Sequence, residues 1–176
     1  ESSLPGASIH YMDAMELLEK GASRCILKIR QEKVTRKSAN VAVRITGSKY
    51  PKEILTVTAH YDSVPEGPGA YDNMAAGAMV MGAYRFFKEH KPARTIEEGL
   101  LGSQAYAKTH SEEISQHFFN LNTDLAGQLI GGTVLGVTAD PTVCTELLEL
   151  MEANQLGVTI KNQVWASDSN TFAWKG

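Results

Sequence analysis

The run Thr56-Val57-Thr58-Ala59-His60-Tyr61-Asp62-Ser63 places an imidazole and a carboxylate two positions apart, where a β-branched, uncharged stretch ends. Ile54 to Ala59 reads as a strand of the kind buried on both faces. His60 and Asp62 then leave its carboxyl end on the same side, at the sheet edge where α/β folds form their sites. A histidine beside a carboxylate is a common metal-binding pair, because the carboxylate orients the ring and raises its basicity. A loop from Ser63 to Gly69, with two Pro and two Gly, leads to Asp72-Asn73 directly before a helical run. That loop can fold Asp72 back toward His60. Asp124 follows Phe118 to Leu121, again at a strand end, and Glu97-Glu98 form an acidic pair before Gly99-Leu100-Leu101-Gly102-Ser103. One histidine, several carboxylates and no thiol make an oxygen-rich zinc environment. Asp72 is suited to bridge two metals, and such a pair can clamp a carbonyl oxygen and activate a shared water.

Each residue alone has an ordinary explanation. A strand-end histidine is structural more often than not. Asp72-Asn73 alone is more often a helix N-cap. Glu97-Glu98 alone is more often a solvated helix start that complements the helix dipole. Their joint fall at strand-to-loop exits is what argues for a site.

The elements that must position them follow from periodicity. Ala14 to Lys20 reads as a short amphipathic helix stopped by Gly21. Cys25 to Arg30 and Asn40 to Ile45 alternate like strands, with Gly47 to Lys52 as a turn. Asn73 to Glu89 and Ser103 to Ser115 read as helices. Phe118 to Leu121, Thr133 to Thr138 and Val158 to Val164 read as strands. Pro141 opens a further helix that runs toward a Gly157 stop, and Ser167 caps a last turn. Strands alternate with helices, so the expected class is α/β, with a mixed, mostly parallel sheet sandwiched by helices.

The 176 residues suffice for a core, and 43% hydrophobic with 21% charged residues is ordinary for a globular chain. A net charge of -3 and the lack of a basic run interleaved with aromatics argue against nucleic acid as a partner. No apolar run reaches membrane-spanning length. Glu1-Ser2-Ser3 has no signal-peptide character and reads like the start of a mature or excised fragment. Cys25 and Cys144 lack CxxC spacing and read as burial-type cysteines rather than zinc ligands or a disulfide. Oligomeric state is not legible.

The runs AHYDSVPEGPGAYDNMAAG, EEGLLGSQAY, NTDLAG and SDSNTF, in that order, resemble the co-catalytic zinc aminopeptidase family. That family includes bacterial leucyl aminopeptidases, aminopeptidase S, aminopeptidase Y and the glutamate carboxypeptidase relatives. The resemblance covers roughly Asn40 to Gly176. LPGASIHYMDAMELLEKG is similar to the end of a protease-associated insert, so residues 1–38 are expected to be a remnant of that insert and 39–176 a partial catalytic domain. The resemblance implies a peptide substrate, two zinc ions per intact domain, hydrolysis of the N-terminal peptide bond, and an extracellular or cell-envelope setting. It implies that His60 and Asp124 hold one zinc, Asp72 bridges both, and Asp62 orients His60. Glu97 is expected as the general base and Glu98 as ligand of the second zinc. Asp168, in SDSNTF, is expected just behind the metal ligands.

Two departures from the family stand out. The family has a buried strand directly before its acidic pair, whereas here Arg94-Thr95-Ile96 runs straight into Glu97-Glu98. About one strand's worth of chain is expected to be missing there. Counting forward from the Asp72-Asn73 helix gives Glu97 as base and Glu98 as ligand. Counting back from Gly99-Leu100 gives Glu97 as ligand and no base. The family's last histidine ligand lies well beyond the SDSNTF motif, and His10, His90, His110 and His117 stand in no matching context. The resemblance also leaves two other readings open: a related zinc carboxypeptidase or deacylase, and an inactive or receptor-like domain of the same fold.

Overall fold

The computed structural model describes residues 6–30, 32, 34–100, 102–127, 130–162 and 167–173. The chain divides into two units, Glu1–Lys37 and Ser38–Gly176. In the first, the described residues form one helix, α1 (Tyr11–Glu19), with the His10 side chain accepting from the Met12 amide at its start. Gly21 stops it at φ +62°, a conformation glycine adopts at no steric penalty. Cys25 to Arg30 form no strand and are exposed. Their alternation is real, but no described strand of this unit offers backbone groups to pair with.

The second unit is built on a four-stranded sheet of order β1-β3-β2-β4. The strands are β1 (Val41–Ile45), β2 (Tyr50–Ala59), β3 (Arg94–Leu100) and β4 (His117–Asn122). β3, β2 and β4 are parallel, and β1 joins β3 antiparallel. Helix α2 (Met74–Glu89) links β2 to β3, and α3 (Ser103–Thr109) leads on toward β4. On one face, Val57, Ala59 and Ile96 form a core cluster with Ala76 and Val80 of α2. On the other, Tyr106 of α3 packs with Phe172 of α5 (Ser169–Ala173). The sheet is therefore helix-covered on both faces, as the alternation of elements predicts. A separate parallel pair, β5 (Thr133–Val137) and β6 (Val158–Asn162), is connected through α4 (Pro141–Ala153). Asp140 caps α4 by accepting from the Thr142 amide at 2.9 Å, with Pro141 at the first helical position.

Several elements differ from the sequence reading. β2 begins at Tyr50, so the expected turn from Gly47 is shorter. The helix expected over Ser103 to Ser115 stops at Thr109, and a 3-10 turn follows at Ile114–Gln116. Thr109 Oγ1 takes the carbonyls of Ala105 and Tyr106, each at 3.0 Å, which satisfies groups that a longer helix would use. The end of the Val158 to Val164 expectation lies outside the described residues. Both cysteines are free, with Cys25 exposed and Cys144 half-buried, so neither is the core residue expected.

The largest difference concerns the strand expected to be missing. Arg94–Leu100, the acidic run itself, occupies the place between β1 and β2. Without it β1 and β2 would face each other across a row of unpaired amides and carbonyls. Satisfying those groups buries Glu97 to 3% and Glu98 to 1% exposure.

Candidate metal centre

His60 is the first residue beyond β2, and Asp124 lies just past the end of β4. The ends of these neighbouring strands are tied together by the Thr123 amide donating to the Thr58 carbonyl at 2.8 Å and by Thr58 Oγ1 donating to Asn122 Oδ1 at 2.9 Å. Asp72 lies at the end of the loop that enters α2. Gly69 lets that loop close. It sits at φ +69°, and a Cβ there would stand 2.8 Å from the Ser63 Cβ. The Gly69 carbonyl then accepts from the Met74 amide at 3.0 Å, folding the Asp72 segment over the sheet edge.

The result is a compact donor set. His60 Nε2 lies 3.2 Å from Asp72 Oδ1 and 3.5 Å from Asp124 Oδ1. One donor atom from each of the three residues falls within 4.8 Å of the others. On the far side of the ring, His60 Nδ1 lies 3.1 Å from Asp62 Oδ1. With Nδ1–H donating to Asp62, the neutral ring would turn its Nε2 lone pair toward the two aspartates. Burial pulls the His60 ring toward its neutral form, but Asp124 and then Asp62 outweigh it and raise its pKa. The site is open, with the Asp72 side chain 60% and that of Asp124 44% exposed.

The donor set fits a zinc ion. Tetrahedral zinc with bonds of about 2.0–2.2 Å holds its donor atoms roughly 3.3–3.6 Å apart, close to the two spacings at Nε2. One imidazole and two carboxylates are also a chemically ordinary set for that metal.

The structure does not bring Glu97 and Glu98 to this group. Both lie inside β3, paired with Thr56 and Val57 of β2, several residues short of His60. Glu97 is held by Arg44 of β1 and by the Tyr106 hydroxyl. Arg44 also makes a two-pronged bond to Glu113, with both contacts at 3.0 Å. Burial raises the Glu97 pKa although Arg44 pulls it down. Glu98 has no hydrogen-bond partner for either carboxylate oxygen among the described residues, and burial pushes it up to about 7. Asp168 accepts from the buried Ser103 hydroxyl at 2.8 Å, at the start of α3.

Asn73 is a further residue of the site, and the sequence marks it only as part of a helix cap. Its side chain makes no capping bond. It bonds instead to the chain on both sides of Asp124, through Thr123 O and Leu125 N, each at 3.1 Å. No local pattern in the sequence announces a contact across that separation.

The fold is thus an α/β domain whose mixed, mostly parallel sheet gathers a histidine and two aspartates that could hold a metal ion at its carboxyl edge. The family model described as "Peptidase family M28" matches residues 40–172, and the chain belongs to that family. A vacuolar membrane protease of Saccharomyces cerevisiae (strain YJM789) is 29% identical over 134 residues, covering 72% of this chain and 13% of the relative. A carboxypeptidase Q of Xenopus laevis is 28% identical over 166 residues, covering 85% of this chain and 35% of the relative. The chain thus spans a minor part of the length of both. Among solved structures, BSAP, a zinc aminopeptidase from Bacillus subtilis, shares the fold with a TM-score of 0.67 at 24% identity, covering 77% of this chain and 37% of that one.

Proposed function

We propose that this chain contributes the metal-holding core of a zinc aminopeptidase that hydrolyses the N-terminal bond of peptides. One observation carries the reading: His60 turns Nε2 toward Asp72 and Asp124 at 3.2 and 3.5 Å while Asp62 backs Nδ1 at 3.1 Å. His60, Asp72 and Asp124 would hold the ion. Bound there, zinc supplies Lewis acidity toward a peptide carbonyl and lowers the pKa of water. Asp62 fixes the ring orientation and keeps the Nδ1 proton away from the site. The exposed flanks of Asp72 and Asp124 leave room for an extended peptide end.

The second ion of a co-catalytic pair, bridged by Asp72, belongs to the same proposal and rests on the family resemblance. The base and second-ligand roles expected of Glu97 and Glu98 have no support from their positions in β3, so no step is assigned to them. Asp168 accepts from Ser103 at the start of α3, and its expected place behind the metal ligands stays part of the proposal.

A carboxypeptidase is the second reading, favoured by the extent of the match to carboxypeptidase Q. Aminoacyl-nitroanilides and carboxyl-terminal dipeptides distinguish the two with the intact protein. Release of the N-terminal residue, lost in His60→Ala and Asp72→Ala, is expected. Unchanged turnover in those variants would sink the assignment, and about one zinc per chain instead of two would remove the second ion from it.

A further inference from the structure

Asp72 and Asp124 come from distant parts of the chain, yet their carboxylates converge on one ring nitrogen. Asn73 joins the two segments. It is 1% exposed, and its side chain makes no capping bond to the helix it precedes. Its Nδ2 donates to Thr123 O and its Oδ1 accepts from Leu125 N, the backbone groups on either side of Asp124. The Tyr71 hydroxyl adds a bond to Leu125 O at 2.8 Å. Leu125 itself sits at φ +48°, in the left-handed region that a bulky residue rarely occupies. Such a backbone persists only where its surroundings hold it. Here the surroundings are the residues immediately flanking Asp72.

We infer that Asn73 is a positioning residue that, with Tyr71, sets the separation of the Asp72 and Asp124 carboxylates and so preorganises the metal site. Without the clamp the turn relaxes out of the left-handed region and carries Asp124 with it. An ion then has to select the competent arrangement, and its apparent affinity falls by the fraction in which that arrangement is populated. The inference rests on the reading of His60, Asp72 and Asp124 as metal ligands.

The test uses the full chain and Co(II), whose visible absorption reports coordination geometry. Wild type, Asn73→Ala and Tyr71→Phe are titrated, with circular dichroism as the check on folding. Asn73→Ala is expected to weaken Co(II) binding roughly 10- to 100-fold, the range seen when residues behind metal ligands are removed, and to change the visible band. Tyr71→Phe, at a half-exposed position, is expected to weaken it several-fold. A folded Asn73→Ala with wild-type affinity and spectrum overturns the inference. If Asn73→Ala does not fold, Tyr71→Phe decides: weakened binding supports the clamp and wild-type binding overturns it. A wild type that takes up no Co(II) sinks the metal-site reading and this inference with it, whereas normal uptake with unaffected variants sinks this inference alone.

Discussion

Glu97 and Glu98 are neighbours in β3 and leave the sheet on opposite faces. Glu97 pairs laterally with Arg44 and meets Tyr106 on the α3 side. Glu98 shares its face with Ile96, which belongs to the apolar cluster under α2. One carboxylate is thus compensated by a guanidinium and a phenol, and the other lies against aliphatic groups. Two identical side chains acquire different chemistry from the pleat alone.

Glu98 is expected to make stability fall as pH rises. Its folded pKa is raised to about 7 by burial, above the 4.5 of a free glutamate. The folded state therefore holds the proton more tightly, and the stability this provides is complete below about 4.5 and lost as pH passes through 7. A shift of that size corresponds to up to roughly 3 kcal/mol. Glu98→Gln should raise the thermal midpoint at pH 8, with the advantage shrinking toward pH 5. An advantage independent of pH would show that Glu98 is not the buried acid described here.

Arg44 and Glu97 form the complementary case. Removing the guanidinium leaves a buried carboxylate with the Tyr106 hydroxyl as its remaining partner. Arg44→Ala is expected to destabilise by about 2–3 kcal/mol, below the upper range for buried pairs because Arg44 is partly exposed. Adding Glu97→Gln should recover much of that loss, since an amide tolerates burial better than an unpaired charge. Additive losses in urea unfolding would contradict the coupling.

How much of this the sequence disclosed depends on the range of the interactions. Met74–Glu89 and Pro141–Ala153 carry their signals locally, in apolar spacing and a proline start, and the structure has helices there. Ile54 to Ala59 is β-branched and continuous, and it forms the inner part of β2. Cys25 to Arg30 has the alternation of a strand without a partner, because pairing is a property of two segments. β3 is the converse: two adjacent glutamates argue against a buried strand, and the unpaired edges of β1 and β2 prevail. At the site, His60 and Asp72 were legible from strand-end and loop-end positions. Asn73 was not, because its meaning depends on Thr123 and Leu125 lying beside it.

Asp62 tests the orientation of the ring. Asp62→Asn can present its amide oxygen or its NH2 group to His60 Nδ1, so the preference for one tautomer is lost. Zinc affinity, read by competition with a chromophoric chelator, is expected to fall by about tenfold, the lower end for a carboxylate behind a histidine ligand. The lower end applies because the Asp62 side chain is 90% exposed and water screens its charge. A loss as large as that of His60→Ala would instead make Asp62 a ligand.

Gly69 tests whether the loop, and not Asp72 alone, makes the site. Its φ of +69° excludes most side chains, and an added Cβ would press on the Ser63 Cβ at 2.8 Å. Gly69→Ala should therefore cost about 1–2 kcal/mol through backbone strain. The strain falls in the loop between Ser63 and Asp72, outside the core cluster of Val57, Ala59, Ala76, Val80 and Ile96, so the rest of the sheet should keep its thermal behaviour in the metal-free state apart from that loss. A zinc ion held by the folded state would raise its midpoint. If the loop sets the Asp72 position, the zinc-induced rise should shrink in Gly69→Ala by more than the metal-free midpoint does. An equal zinc-induced rise in variant and wild type would mean that Asp72 reaches His60 whatever path the loop takes.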